Sequence, residues 1–252
     1  MKFTIAADSY DRFMGRYSTP LASAFSDFAA ITPGMSVLDV GSGTGALIGE
    51  LVKRVGDEAV SAAEPSERFV AAIRERYPKI DVRTAAAEDL PFAAYVFDAS
   101  LAQLVVHFMA DPAAGIGEMR RVTRAGGTVA ACVWDHAAGG GPLSLFWEAA
   151  RELDPDLVGE ELLTGSTEGD LGSLFRAVGL KEVEEGSLTV RVEHPSFEEW
   201  WVPFTLGVGP AGSYTAGLDP KRRGELRERC RSMQPRAPFV VTGKAWAARG
   251  FV

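Results

Sequence analysis

The sequence predicts an α/β protein organised on a parallel, doubly wound sheet of seven strands, and three observations carry that prediction. Short apolar or β-branched runs alternate with stretches of helical spacing along the chain, the order that βαβ units produce. The run Ser36–Val40 breaks directly into Gly41, Gly43 and Gly45, and Leu47, Ile48, Leu51, Val52 and Val55 follow at helical spacing. The 252 residues suffice for one such domain with an appended cap, or at most two small domains.

The elements follow in order. Residues 1–20 are dense in aromatic and basic side chains (Y-D-R-F-M-G-R-Y-S) and are expected to fold back over a ligand site or pack on the core. A helix is expected over Leu21–Ala30, capped near Ser18–Thr19 with Pro20 in its first turn and ended by Thr32-Pro33-Gly34. After the first strand and its helix, Glu58–Ala63 reads as the second strand. Ser66 is expected to cap the helix Glu67–Tyr77, which Pro78 breaks before the third strand, Ile80–Thr84. Tyr95–Leu101 is the fourth strand, a helix runs through Glu118–Val122, and Ala125-Gly126-Gly127 turns into the fifth strand, Thr128–Trp134.

Beyond Trp134 the alternation loosens. A flexible connector, His136–Pro142, leads to a helix containing Leu145, Phe146, Trp147, Ala150 and Leu153, and a second helix covers Leu171–Val178. Leu180–Val192 is a partly polar strand, placed near an edge. Ser196–Leu206 is expected to be helical up to Pro203, residues 207–214 to form a loop, and Lys221–Arg231 a solvated helix with internal pairing such as Glu225–Arg229. Phe239–Trp246 closes the sheet.

The first strand, its glycine turn and the following helix present backbone N–H groups and a positive helix end to a ligand. Gly41-x-Gly43-x-x-Ala46 also satisfies the dinucleotide fingerprint, so a nicotinamide oxidoreductase stays open on the glycines alone, as does a turn without a ligand. Asp39 begins to separate them, because a carboxylate at the mouth of the turn repels a pyrophosphate and suits an ammonium group. Glu64 lies about 20 residues beyond the turn, where an α/β fold places an acidic residue against ribose hydroxyls; a carboxylate at a helix start is its plainer reading.

V-L-D-V-G-S-G-T-G resembles motif I of the class I S-adenosylmethionine-dependent methyltransferases. A-A-A-E-D-L-P-F (85–92) resembles the segment that holds adenine in that family, with Ala86 standing where the family often has Asp. F-D-A-S … H-F … E-M-R-R-V-T-R-A-G-G-T-V resembles the family's fourth-strand-to-fifth-strand segment. The resemblance is strong over residues 36–134, and the outer segments resemble a bacterial subfamily of type 11 methyltransferase-like proteins. It implies a Rossmann-like sheet in the order 3-2-1-4-5-7-6 with the last strand antiparallel, helices on both faces and a helical lid. It also implies S-adenosylmethionine as cofactor, bound by Asp39, Gly41, Ser42, Gly43, Gly45, Glu64, Pro65, Ala87, Glu88, Asp89, Gln103 and Tyr17. The implied layout is a single domain: an N-terminal cap (1–30), a cofactor core (31–134), lid insertions (135–179 and 195–236) and the last strands (180–194 and 237–252). The adenine-like segment has no use in a nicotinamide enzyme. Neither N/D-P-P-Y/F nor a Pro-Cys nucleophile pair follows the fourth strand, which removes amino-group methylation of adenine, cytosine or glutamine and cytosine C5 methylation.

Composition narrows the partners. A net charge of −8 and a pI near 5 disfavour nucleic acid. The start lacks the apolar region of a signal peptide, and no run approaches a membrane span, so a cytoplasmic protein is expected. Cys132 and Cys230 are expected as reduced thiols, and His107, His136 and His194 show no metal-ligand spacing. Methyl transfer from a sulfonium needs positioning above all, about 7–11 kcal/mol of the barrier, so a base is optional. His107, just after the fourth strand, is the best candidate, ahead of His136 and Tyr17. Phe13, Tyr17, Phe146, Trp147, Trp200, Trp201 and Tyr214 are candidates for an acceptor pocket or for plain core. The reading is a methyltransferase for a small, partly apolar acceptor; a cofactor-binding scaffold without catalysis is the non-enzymatic alternative.

Overall fold

A computed structural model of the chain describes residues 7–252, so positions 1–6 of the expected N-terminal cap lie outside the described residues. One sheet of seven strands runs through the molecule in the order β3-β2-β1-β4-β5-β7-β6. Its strands are β1 (Val37–Val40), β2 (Val60–Glu64), β3 (Asp81–Thr84), β4 (Phe97–Gln103), β5 (Thr123–Trp134), β6 (Lys181–His194) and β7 (Phe239–Phe251). Strands β1 to β5 pair in parallel, and β7 is antiparallel to both of its neighbours. Order and handedness of pairing are those the family resemblance implies.

The chain enters through α1 (Ala7–Tyr10), a π-helical turn (Asp11–Gly15) and α2 (Arg16–Phe28). With α3 (Ala46–Val55) and α4 (Glu67–Arg76), α2 covers one face of the sheet, where Leu21, Phe25, Leu47, Leu51, Val70 and Ile73 meet Val37, Ala62, Leu101 and Ala130. The other face carries α5 (Pro112–Val122); Ile116, Met119 and Val122 meet Leu38, Val40, Ala102 and Val129 there. Adjacent β1 residues thus belong to opposite cores, the period-2 pattern of a strand buried on both sides. After β5 the chain forms α6 (Ser144–Leu153), then α7 (Asp170–Ala177), which joins α5 on the second face. Following β6 come α8 (Phe197–Trp201), α9 (Gly209–Gly217) and α10 (Pro220–Met233). With α6 they enclose a third core, in which Phe146 stacks on Phe204 at 4.5 Å between ring centroids. Trp200 and Trp201 belong to this core.

Several local expectations change. The cap at Ser18–Thr19 is not formed, because the helical run already includes Phe13 and Tyr17, both buried, and Pro20 falls inside α2. Ser66 makes no side-chain cap; its N–H donates instead to Glu64 Oε1 at 2.8 Å. Gly126 and Gly127 lie within β5, which begins at Thr123 opposite Phe97 and shifts register before Thr128. Residues 209–214 are the start of α9, not loop: Ala211, Gly212 and Thr215 are buried, and this packing overrides their weak helix propensity. The Glu225–Arg229 pair is replaced, with Glu225 facing Lys221 at 3.9 Å and Arg229 bound to Glu152. Cys132 and Cys230 are free and buried. Among the described residues no helix is long and apolar enough to cross a membrane, and no group of side chains could hold a metal ion.

Candidate active site

Strand order reverses between β1 and β4, and a crevice opens there at the carboxyl ends of the parallel strands. A cavity of 280 Å³ fills it. Its floor is the glycine turn between β1 and α3. Gly41 has φ +71°, and a Cβ there would lie 2.5 Å from the Val105 side chain, so only glycine fits. The turn is held from β2: Gly41 donates its N–H to Ala63 O at 2.7 Å, and Gly43 donates to Glu64 Oε2 at 2.9 Å.

Three polar side chains give the cavity its chemistry. Asp39, at the end of β1, is 1% exposed, and its Oδ2 finds no donor among the described residues. Desolvation pushes its carboxyl up to about 7, with the nearby Glu64 adding to the rise. Gln103, the last residue of β4, donates Nε2–H to Ser18 O at 3.0 Å, while its Oε1 is also buried without a donor. Glu64 is raised by burial and partly restored by the two backbone N–H groups it receives. Each of its oxygens keeps a free lone pair, because a carboxylate oxygen can accept twice. No Lys, Arg or His lines this cavity among the described residues. Two unfilled acceptors beside a second carboxylate, with no cation of the protein's own, suit a ligand that brings positive charge and hydroxyl donors.

Of the expected residues, Asp39, Gly41, Ser42, Gly43, Glu64, Pro65, Ala87, Glu88 and Gln103 line this one wall. Glu88 also accepts from the N–H groups of Ala110 and Asp111, at 2.7 and 3.2 Å, and so holds the segment before α5. Gly45 stands behind the turn as the left-handed residue preceding α3, and Asp89 is exposed outside the wall. Tyr17 also stands away from it: its hydroxyl meets His194 Nε2 at 2.9 Å, buried against β6. The aromatic that covers the turn is Tyr10, one helical segment earlier, packed on Phe69 at 5.7 Å between centroids. The aromatic N-terminal stretch signalled such a cover but not which ring supplies it.

His107 lies outside this cavity, in a short 3₁₀ turn after β4. It borders a smaller cavity of 40 Å³ that shares Tyr10, Leu104 and Phe108 with the larger one. Burial, with the neighbouring His136 ring 5.9 Å away adding to it, pushes its imidazole down to about 3. A ring so reluctant to take a proton is neutral at physiological pH and acts there as a hydrogen-bonding group, a poor match for a general base.

Residues 38–131 match the family model described as a methyltransferase domain. A chloroplastic 2-methyl-6-phytyl-1,4-hydroquinone methyltransferase of rice, Oryza sativa subsp. japonica, is 36% identical over 95 residues, which are 37% of this chain and 27% of that protein. The ubiquinone/menaquinone biosynthesis C-methyltransferase UbiE of Burkholderia orbicola is 31% identical over 146 residues, 53% of this chain and 60% of its own. The chain thus spans less than two thirds of either curated relative. Among solved structures, a SAM-dependent methyltransferase of Thermotoga maritima superimposes with a TM-score of 0.58 at 18% identity, over 97% of this chain and 95% of that one.

Proposed function

We propose that the chain, whose residues 38–131 match a methyltransferase-domain model and whose fold is shared with a SAM-dependent methyltransferase, is a class I S-adenosylmethionine-dependent methyltransferase that methylates a small, partly apolar acceptor. The observation that carries this reading is the pair of buried acceptors, Asp39 Oδ2 and Gln103 Oε1, in a cavity without basic residues. An α-ammonium group satisfies both, whereas a pyrophosphate would meet two carboxylates and no cation. Asp39 and Gln103 would hold the amino-acid end of the cofactor, Glu64 the ribose hydroxyls, and the backbone around Ala87 and Glu88 the adenine edge. S-adenosylmethionine supplies an activated methyl group when bound. The protein's share is to bind and orient, with Tyr10 over the glycine turn excluding water from the reacting end.

The curated relatives are named for hydroquinone and quinone methylation. That supports placing a hydroquinone first in an acceptor screen, and the net charge of −8 supports a small molecule over a nucleic acid. Calorimetry with S-adenosylmethionine, S-adenosylhomocysteine and NAD tests the assignment. Binding of the first two and not the third is expected; tight NAD binding without S-adenosylhomocysteine binding would sink it. Transfer of labelled methyl to any screened acceptor then separates an enzyme from a cofactor-binding scaffold.

A further inference from the structure

Three cavities form a chain from the glycine turn outward. The cofactor cavity shares Tyr10, Leu104 and Phe108 with the inner cavity, and the inner cavity shares His136 and Glu160 with an outer one of 280 Å³. The outer cavity reaches the surface at Ala138, Gly139 and Glu148, all exposed. Apart from its two histidines, Tyr10, Glu160 and the Trp134 indole, the inner cavity is walled by apolar side chains and backbone, and no Lys or Arg faces it among the described residues. Glu160 is 5% exposed there. Trp147 Nε1–H donates to its Oε2 at 2.8 Å, and the carboxylate keeps further acceptor capacity. His107 Nδ1, His136 Nε2 and Trp134 Nε1 are buried without partners among the described residues.

Resting on the methyltransferase reading, we propose that the inner cavity is the acceptor site and that Glu160 is its specificity-determining residue. It receives a hydrogen bond from a hydroxyl on an apolar acceptor and turns away acceptors that carry a carboxylate. A buried carboxylate with acceptor capacity to spare gains from a donor and is penalised by a second anion, with no cation in the wall to offset either. Two neutral imidazoles beside it can donate or accept but bring no positive charge. A volume of 40 Å³ is little more than one water's share, about 30 Å³, so the wall must give to admit an acceptor. The wall segment Val208–Ala211 lies at the start of α9; Gly207 just before it and Gly209 within it hold φ +73° and +62°.

The groups around Glu160 settle how pH should act. Tyr10 reaches it from α1, His107 from the turn after β4, His136 from the connector after β5, and Glu148 and Arg151 from α6; Glu161 adjoins it and pairs with Arg151 at 3.4 Å. Burial, with Glu161 adding to it, pushes Glu160 up to about 7, while Tyr10 is pushed up to about 12 and the histidines down to about 3 and 4. Within the inner cavity these shifts leave Glu160 as the group that gains or loses charge near neutrality.

Phenol and benzoate are the probes, measured by calorimetry on the protein saturated with S-adenosylhomocysteine. At about pH 8, where benzoate is ionised and phenol is not, phenol should bind at least about tenfold more tightly than benzoate. Glu160→Gln, which can still accept from Trp147, should narrow that ratio by about tenfold, and so should lowering the parent protein to about pH 5.5. Asp39 titrates in the same range but lies in the cofactor cavity, so its effect would persist in Glu160→Gln. Equal binding of the two probes, no binding of either, or a ratio unmoved by both the substitution and the pH overturns the proposal. S-adenosylhomocysteine failing to bind would instead refute the methyltransferase reading, and the probe comparison can then be made on the protein alone.

Discussion

Asp39 carries a charge problem that its ligand should resolve. With its carboxyl pushed up to about 7, the folded, ligand-free protein keeps a proton there that the unfolded chain releases near the ordinary carboxylate range, about pH 4. The native state binds more protons between those values, so Asp39's contribution to stability is present at low pH and lost as pH rises through about 7. A bound ammonium reverses this by favouring the carboxylate. The gain in melting temperature from S-adenosylhomocysteine should therefore grow from about pH 6 to about pH 8, and Asp39→Asn should flatten that growth. Glu64 is shifted in the same direction, so a variant profile that tracks the parent would assign the effect elsewhere. Glu64 braces Gly43, and in the proposed function it would also meet the ribose. Loss of charge-assisted bonds worth about 1.5–3 kcal/mol should weaken the cofactor roughly tenfold to a hundredfold in Glu64→Ala. An affinity within twofold of the parent in a folded variant would leave Glu64 as a structural brace alone.

At the scale of elements, the N-terminal helical run divides its tyrosines between two jobs. Tyr10 covers the cavity at the glycine turn, whereas Tyr17 joins Arg16, His194 and Glu199 in a cluster that ties α2 to β6 and α8. Tyr17→Phe strands His194 Nε2 without its partner and should cost about 1–3 kcal/mol of stability with cofactor affinity unchanged. Tyr10→Ala should show the opposite pattern, weaker cofactor binding and little change in chemical denaturation. Similar behaviour of the two variants would contradict the division. The sequence could not make this distinction, because both rings sit in one helical segment and the deciding partner, His194, is 177 residues away. The β1–glycine–α3 unit was legible for the contrary reason: its strand, its positive-φ turn and its helix are each decided by neighbours in the chain. The start of α9 was misread for lack of such signals, since its glycines favour a loop and only burial of Ala211 and Thr215 makes it a helix.

For the whole molecule, alternation along the chain was enough to indicate a parallel sheet, but the place of the last two strands came from the family resemblance, because nothing in β6 or β7 states its neighbours. That placement also bears on how the protein assembles. β7 is last of the seven strands in sequence yet lies between β5 and β6, pairing Thr128 with Phe251 and Lys181 with the same residue. Contacts so far apart in the chain form slowly, since a long loop must close before any of them is gained. In pulse-labelled refolding, amides of β1, β2 and β4 should become protected first, and those of β6 and β7 later and together. Protection of β6 ahead of β7 would mean that it finds another seat. Until β7 is in place, β5 is an open edge, and the growing sheet is at its most exposed to pairing with another chain.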